Sequence, residues 1–542
     1  MPKITLDYKT VKKSLNGKIS DEDLKYKISM LGTDLDDFSK EEIVVEVFPN
    51  RPDMLGEFGF IRAMNTFLGF TSGLKKYEVK KSNEKVIIHK SVAKVRPYTV
   101  CAIVKNLKLN DEKIRQIIQL QEKLHVTYCR NRKRAAIGIY PSEKIKYPIH
   151  FFADKPKNVK FIPLGESREM DGLQILSKHK TGREFGHLLE GKDLFPFFKD
   201  AKNNILSMPP VINSDSTGKV SDATKEVFIE CSGFDMNVLT KLLNIIVCEL
   251  ADMGGEIYSM ELDYGKKMIT PNLDPEEMKL DESYVLNLLG CKIPIKENLG
   301  KMGLGYVNKK ALIPAYRTDI LHQMDLVEEI AIGYGYDNFE SELPQIATVA
   351  EEKPLSKFNR KVREVLVGLG FLELSTLHVS SEVVHLTKMR REGKLIKMAN
   401  SKSSEYDSLR EFLLPSIMEV FERNADKEYP QLIFDIGYGF KKNNSGDTGI
   451  KESQKLCVGI AGKDFTKAKQ VLENLLRNFG LSCTLKEHND PAFIEGRVGQ
   501  VIVNKKVIGI IGEIHPGVLL NFKLETPINV FEINLEDVCP QS

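Results

Sequence analysis

The sequence predicts an α+β, multidomain chain, and three observations carry the prediction. Its 542 residues hold roughly three to five domains at roughly 100–200 residues each, ample for sizeable cores. Single helical patterns alternate with the apolar runs QLIFDIG, KLCVGIAG, GQVIVN and KVIGIIGEI without a G-x-G-x-x-G turn, which favours an antiparallel sheet over a doubly wound one. Two stretches, KKSNEKVIIHKSVAKVRPY and SELPQIATVAEEKPLS, show no periodicity and read as linkers.

The units follow in order. In residues 1–80, DEDLKYKISMLG is a short amphipathic helix with Leu24, Ile28 and Leu31 on one side and Gly32 to end it. Residues 95–265 open with the strand YTVCAIVKNL. A helix from Asp111 follows, with Ile114, Ile117, Ile118, Gln121 and Leu124 at helical spacing. They close on DMNVLTKLLNIIVCELADMGG, whose Leu239, Leu242, Leu243, Ile246, Val247 and Leu250 make a wide apolar stripe between an Asp235 cap and a Gly254-Gly255 stop. In residues 270–345, Ala311 to Ile313 is a strand and Met324 to Tyr334 a helix carrying Leu326, Val327, Ile330 and Ala331 on its apolar face. Residues 355–542 combine the strands above with TKAKQVLENLLRNFG, a helix expected to be capped by Thr466 and ended by Gly480.

Composition excludes several classes. Lys plus Arg is 78 against 75 for Asp plus Glu, a net +3, so bulk charge cannot coat nucleic acid and any RNA contact is local. No apolar run reaches the roughly 20 residues of a membrane span, and Met1 to Lys13 is too charged for a signal peptide, so a cytoplasmic protein is expected. The eight cysteines form no C-x-x-C pair and no cluster with histidine, so they are expected reduced and mostly buried.

Three stretches carry possible chemistry. In YRTDILHQMDLVEEIAIGYGYDNF, Asp325, Glu328 and Glu329 stand at i, i+3 and i+4, with Asp319 on the preceding turn. Two explanations stand: an acidic first turn complementing the helix dipole with Asp319 or Asp325 as its cap, or an oxygen-ligand site for Mg2+. In VFIECSG, Glu230 sits within an apolar run, so it is either a surface carboxylate or a partly desolvated one suited to accepting a proton or orienting water. In YCRNRKRAAIG, Arg130, Arg132, Lys133 and Arg134 crowd five residues beside Tyr128, either a grip for phosphates with aromatic support or a solvated basic turn.

The motif YRTDILHQMDLVEEIAIGYGYDNF resembles the B5-domain signature of the phenylalanyl-tRNA synthetase beta subunit, of the archaeal and eukaryotic type. VEVFPNRPDMLGEFGFIRAMNTFLG resembles that family's N-terminal segment, LSMPPVINSDSTGKVSDATKEVFIECSGFD its editing core, and NSKSSEYDSLREFLLPSIMEVFERN, FDIGYGF and GIIGEIHPGVLLNF its synthetase-like domain. The resemblance implies a B1-like domain over residues 1–80, a B3/B4-like editing domain over 95–265 and a winged-helix-like B5 domain over 270–345. A class II synthetase-like antiparallel sheet domain, not itself catalytic, is implied over 355–542. The candidate strings VGLGFLEL and GIIGEIHP lack the arginine that holds ATP in catalytic class II cores, although SLREFLLPS keeps Arg410 and Pro415. It also implies hydrolysis of mischarged Tyr-tRNA(Phe) in a pocket at Asn213, Ser214, Thr217, Thr224 and Glu230, and Mg2+ at Asp319, Asp325, Glu328 and Glu329, with Arg317 locking the turn. Arg130, Arg132, Lys133 and Arg134 would meet tRNA(Phe), and an alpha subunit would bind ATP and attach phenylalanine in an alpha2-beta2 heterotetramer. One departure is visible: AIGIYPSEK places Tyr140 and Pro141 where relatives often follow A-I-G with a His-Asp turn.

Overall fold

A computed structural model describes residues 2–540, and the chain divides into two compact units between Leu343 and Pro344. The boundary falls inside the expected second linker. The expected first linker is not one. Lys85–Ile88 is a strand lying parallel to both Met260–Asp263 and Ile149–Asp154, and Lys90–Lys94 is a 3-10 turn. Its charged flanks conceal a strand whose partners lie far along the sequence.

In the first unit, Lys3–Asp7, Glu42–Glu46 and Asp34–Phe38 form a small antiparallel sheet covered by the helices Asp21–Met30 and Glu57–Phe67. Ser20 caps the first of these by accepting from the Asp23 amide, and Gly32 follows it at φ 92°, a conformation that favours glycine. The next region holds a five-stranded and a seven-stranded sheet. In the five-stranded one, Val227–Gly233 lies between Tyr98–Lys105 and Ala135–Pro141, antiparallel to both. The apolar stripe of Met236–Asp252 is buried, Asp235 caps that helix, and Gly254 ends it at φ 102°. Further along, Glu276–Lys279, Lys310–Ile313 and Gly305–Val307 form a three-stranded sheet beside the helices Glu282–Leu289, Ile295–Lys301 and Gln323–Tyr334. One continuous core runs from Ile4 to Ile330, so three expected domains share a single apolar interior.

The second unit is built on a seven-stranded sheet, antiparallel except where Leu372–Leu374 runs parallel to Gln431–Lys442. The side-chain alternation of its strands feeds two cores. Leu456, Val458 and Ile460 pack with the helices Pro354–Gly368 and Phe465–Asn478, while Cys457 and Ala461 face the helix Leu414–Arg423. Asp464, not Thr466, caps Phe465–Asn478 by accepting from the Lys467 amide. Arg410 is turned wholly inward: Nε donates to the Tyr438 carbonyl at 3.0 Å and Nη1 reaches Thr376 and Asp435. Among the described residues no helix is long and apolar enough to cross a membrane, and all eight cysteines are unpaired, five of them buried.

Candidate active site

Glu230 occupies the middle of the strand Val227–Gly233, opposite Cys101 on one side and Gly138 on the other. Glu230 is 2% exposed and lines a cavity of about 390 Å³. The Tyr140 hydroxyl lies 3.2 Å from Glu230 Oε1 and 3.3 Å from Asn213 Oδ1, within donating reach of both. Glu230 Oε2 is buried with no hydrogen-bond partner, a costly arrangement that native interiors rarely keep without use. Gly138 leaves room for the pairing of Tyr140 with Glu230. A Cβ at that position would strike the Tyr140 hydroxyl and come within 2.6 Å of Glu230 Oε1.

Burial pushes the Glu230 carboxyl up to about 7, against the opposing pull of Arg96 and the Tyr140 hydroxyl. Near neutral pH both its protonation states are populated. The rest of the cavity is mostly apolar, walled by Ile114, Ile117, Ile118 and Ile139. The helix Asp111–Val126 supplies that wall because its Ile114, Ile118 and Gln121 recur at helical spacing, and Gln121 ties it to the sheet by donating to the Ile137 carbonyl at 2.9 Å. His125 closes the same face. Its Nε2 accepts from the Ile137 amide at 2.9 Å, and burial, reinforced by Arg132 and Arg96, holds the ring neutral. The cavity therefore suits an apolar side chain that ends in one hydroxyl, which the partnerless oxygen could accept.

Of the five residues expected to form this pocket, Asn213 and Glu230 line it, whereas Ser214, Thr217 and Thr224 do not. Those three are buried in the turns behind it. Ser214 Oγ pairs with Ser216 Oγ at 3.0 Å, Thr217 Oγ1 donates to the Ile205 carbonyl, and Thr224 Oγ1 accepts from the Ser221 amide. Asn213 itself lies on the short strand Ile212–Asn213. Sequence reasoning placed Gln121 on the helical face and marked Tyr140 as a departure from the relatives' pattern, but it missed His125; the helical spacing of Gln121 and His125 with Ile114 and Ile118 was the available signal.

The basic turn is also divided. Arg130, Asn131 and Arg132 all adopt left-handed backbone, with φ of 52°, 52° and 63°, a conformation costly for non-glycine residues. This winding leaves Arg130 and Lys133 exposed and draws Arg132 inward. There Arg132 Nη1 donates to the Pro210 and Val211 carbonyls at 3.0 Å each, and its guanidinium stacks 4.1 Å from the Phe185 ring. Arg134 lies over the Tyr128 ring at 5.4 Å.

The four acids expected to hold Mg2+ are not gathered into a cation cradle. Arg317, 1% exposed, stands between Asp319 and Glu329: Nε and Nη2 donate to Asp319 at 2.9 and 2.7 Å, and Nη1 and Nη2 reach Glu329 at 2.9 and 2.8 Å. Burial opposes the guanidinium charge, and Glu329 with Asp319 more than offsets that opposition. Asp325 Oδ2 instead accepts from the Leu321 and His322 amides at 2.8 Å each, completing a capping box in which His322, not an aspartate, is the cap. Glu328 faces outward, away from buried Glu329. Among the described residues no group of three or more His, Cys, Asp or Glu is placed to hold a metal ion. Two members of this donor set, Asp319 and Glu329, are already paired with the Arg317 guanidinium, so a cation there would compete with an existing ion pair.

Comparison with known proteins bears on the architecture and the family. Residues 262–336 match the tRNA synthetase B5 domain, and residues 339–535 match the phenylalanyl tRNA synthetase beta chain CLM domain. The phenylalanine–tRNA ligase beta subunit of Pyrococcus furiosus is 40% identical over 499 residues, covering 90% of this chain and 90% of that relative. The chain belongs to the phenylalanine–tRNA ligase beta-subunit family. It is thus a member of the aminoacyl-tRNA synthetases. The Archaeoglobus fulgidus beta subunit is 36% identical over 525 residues, covering 94% of each chain. A crystal structure of an N-terminal fragment of the Pyrococcus horikoshii phenylalanyl-tRNA synthetase beta subunit superposes with a TM-score of 0.59 at 37% identity, covering 61% of this chain and 99% of the fragment. Membership of the beta-subunit family implies an alpha partner and tRNA binding.

Proposed function

We propose that this beta subunit hydrolyses tyrosine wrongly esterified to tRNA(Phe), with the tyrosyl side chain in the Glu230 cavity. Attachment of phenylalanine with ATP takes place in the alpha subunit, within a cytoplasmic alpha2-beta2 heterotetramer. The observation that carries the hydrolytic reading is the partnerless Oε2 of Glu230, which lines a mostly apolar cavity. A tyrosyl hydroxyl donating to that oxygen would satisfy it, whereas a phenylalanyl ring would leave it buried and unpaired, which penalises the correct product. Tyr140, itself within reach of Asn213, engages the carboxyl through Oε1 and leaves Oε2 for an incoming donor. Hydrolysis then needs water held at the ester rather than a covalent nucleophile. The inward-turned Arg410 supports a second unit that packs rather than binds nucleotide.

The test is co-expression with an alpha subunit, assaying the chain alone and the complex for phenylalanine-dependent ATP–pyrophosphate exchange and for Tyr-tRNA(Phe) deacylation. Exchange in the complex only, together with deacylation, is expected. A second reading, a tRNA-binding scaffold without editing, draws on Tyr140, which already engages Glu230 Oε1. Exchange without any deacylation would select it.

A further inference from the structure

Beside the Glu230 cavity lies a second one of about 340 Å³, and the two share Arg132 as a common wall. Its lining includes Arg96, Arg132, Lys133, Lys192 and the ring of Phe234. The cations here bond only neutral groups. Arg96 donates to Ser232 through Nε and Nη2, Arg132 to the Pro210 and Val211 carbonyls, and Lys192 to the Val95 carbonyl. Arg132 Nε is buried without any partner. Desolvation pushes Arg96 down to about 10 and lowers Arg132 and Lys192, with Glu230 opposing the shift at Arg96 and Glu184 at Arg132. Concentrated, partly dried positive charge with no acid hydrogen-bonded to it among the described residues suits an anion. Phe234 is 46% exposed and held beneath two cations, Arg96 at 5.4 Å and Lys192 at 5.3 Å from its centroid. Such a ring offers a stacking face at the rim.

We infer that this cavity holds a phosphodiester of the single RNA strand whose esterified end enters the neighbouring Glu230 cavity, with Phe234 stacking against one of its bases. The inference rests on the hydrolytic reading above and adds the subsite that would anchor the strand. Glu230 and Arg96 connect the two: residues 230 and 232 share one face of Val227–Gly233, and Arg96 is fastened to Ser232.

The full chain is titrated with a short single-stranded oligoribonucleotide ending in CCA, by fluorescence anisotropy at several salt concentrations. Lys192→Glu is expected to weaken binding at least tenfold and Phe234→Ala about tenfold. Lys192→Ala should flatten the logarithmic salt dependence by about 0.7, the value of one phosphate contact on a single strand. Phe234→Ala removes an exposed ring and guards against a folding artefact in the lysine variants. Unchanged affinity in both Lys192→Glu and Phe234→Ala overturns the inference. So does equal affinity for adenosine monophosphate, which would make the cavity a free-nucleotide site. The two readings fail separately. Lys192-dependent binding without tyrosyl-ester hydrolysis keeps the phosphate subsite and sinks the hydrolytic pocket, whereas hydrolysis with binding blind to Lys192 and Phe234 does the reverse.

Discussion

Two of the buried charge sets in the first unit are resolved in opposite ways. Around Arg317 every guanidinium nitrogen is matched by a carboxylate oxygen of Asp319 or Glu329. Around Glu230 one oxygen has a single tyrosine and the other no hydrogen-bond partner among the described residues, although the Ser232 hydroxyl also favours the carboxylate. Both motifs look acidic and functional in sequence. Pairing is what separates them: a saturated ion cluster is spent on holding the fold, while an unsaturated carboxylate keeps binding capacity in reserve.

The largest expected effect breaks the unsaturated site. Glu230→Ala should slow Tyr-tRNA(Phe) hydrolysis roughly 100-fold, as expected for a lost charge-assisted hydrogen bond of about 3 kcal/mol, while phenylalanine attachment by the complex is unaffected. Equal loss of both activities would mean a general folding defect. The saturated site should answer in stability instead. Arg317→Met strands two buried carboxylates and should cost about 3–5 kcal/mol in urea unfolding of the full chain. EDTA added to the same chain should leave its unfolding midpoint unchanged; a clear fall would restore a metal to these acids.

Acidity sharpens the contrast further. Burial raises the Glu230 carboxyl to about 7, Glu57 to about 8 and Glu249 to about 7, all from 4.5. A folded value above the unfolded one means stabilisation that is complete below 4.5 and lost as pH rises through 7–8. The unfolding temperature should therefore fall between pH 5 and pH 8, and a flat profile would contradict the burial of these groups. Over the same range, kcat/KM for tyrosyl-ester hydrolysis should rise as Glu230 ionises. Tyr140→Phe removes a hydrogen bond that favours the carboxylate, so its profile should move to higher pH, with activity near neutrality lowered about tenfold by one lost hydrogen bond. The smallest effect belongs to the exposed turn: Arg130→Ala with Lys133→Ala should reduce the salt slope of tRNA binding by about 2 at most.

Much of the fold was legible because its signals are local. Apolar stripes located Asp111–Val126, Met236–Asp252 and Gln323–Tyr334, and a proline-bearing polar run marked the division at Pro344. Glu230 stood out as a charge inside the apolar run VFIECSG. What stayed hidden depends on distant partners. Lys85–Ile88 becomes a strand only because Glu261–Asp263 and Ile149–Phe151 flank it. Arg96 is held at the site by distant Ser232, and no helix wheel shows that Arg317 reaches Glu329 rather than leaving it for a cation. Carboxylates spaced for a metal and carboxylates spaced for an arginine look alike until the guanidinium is placed.

Gly138 adds a practical consequence. It carries no chemistry, yet the room it leaves is where Tyr140 and Glu230 meet. Gly138→Ala would keep every titratable group of the pocket and jam their arrangement with one methyl. It offers a blocked version of the site in which acid count, net charge and tRNA-facing surface are all preserved, a control that no substitution of Glu230 itself can provide.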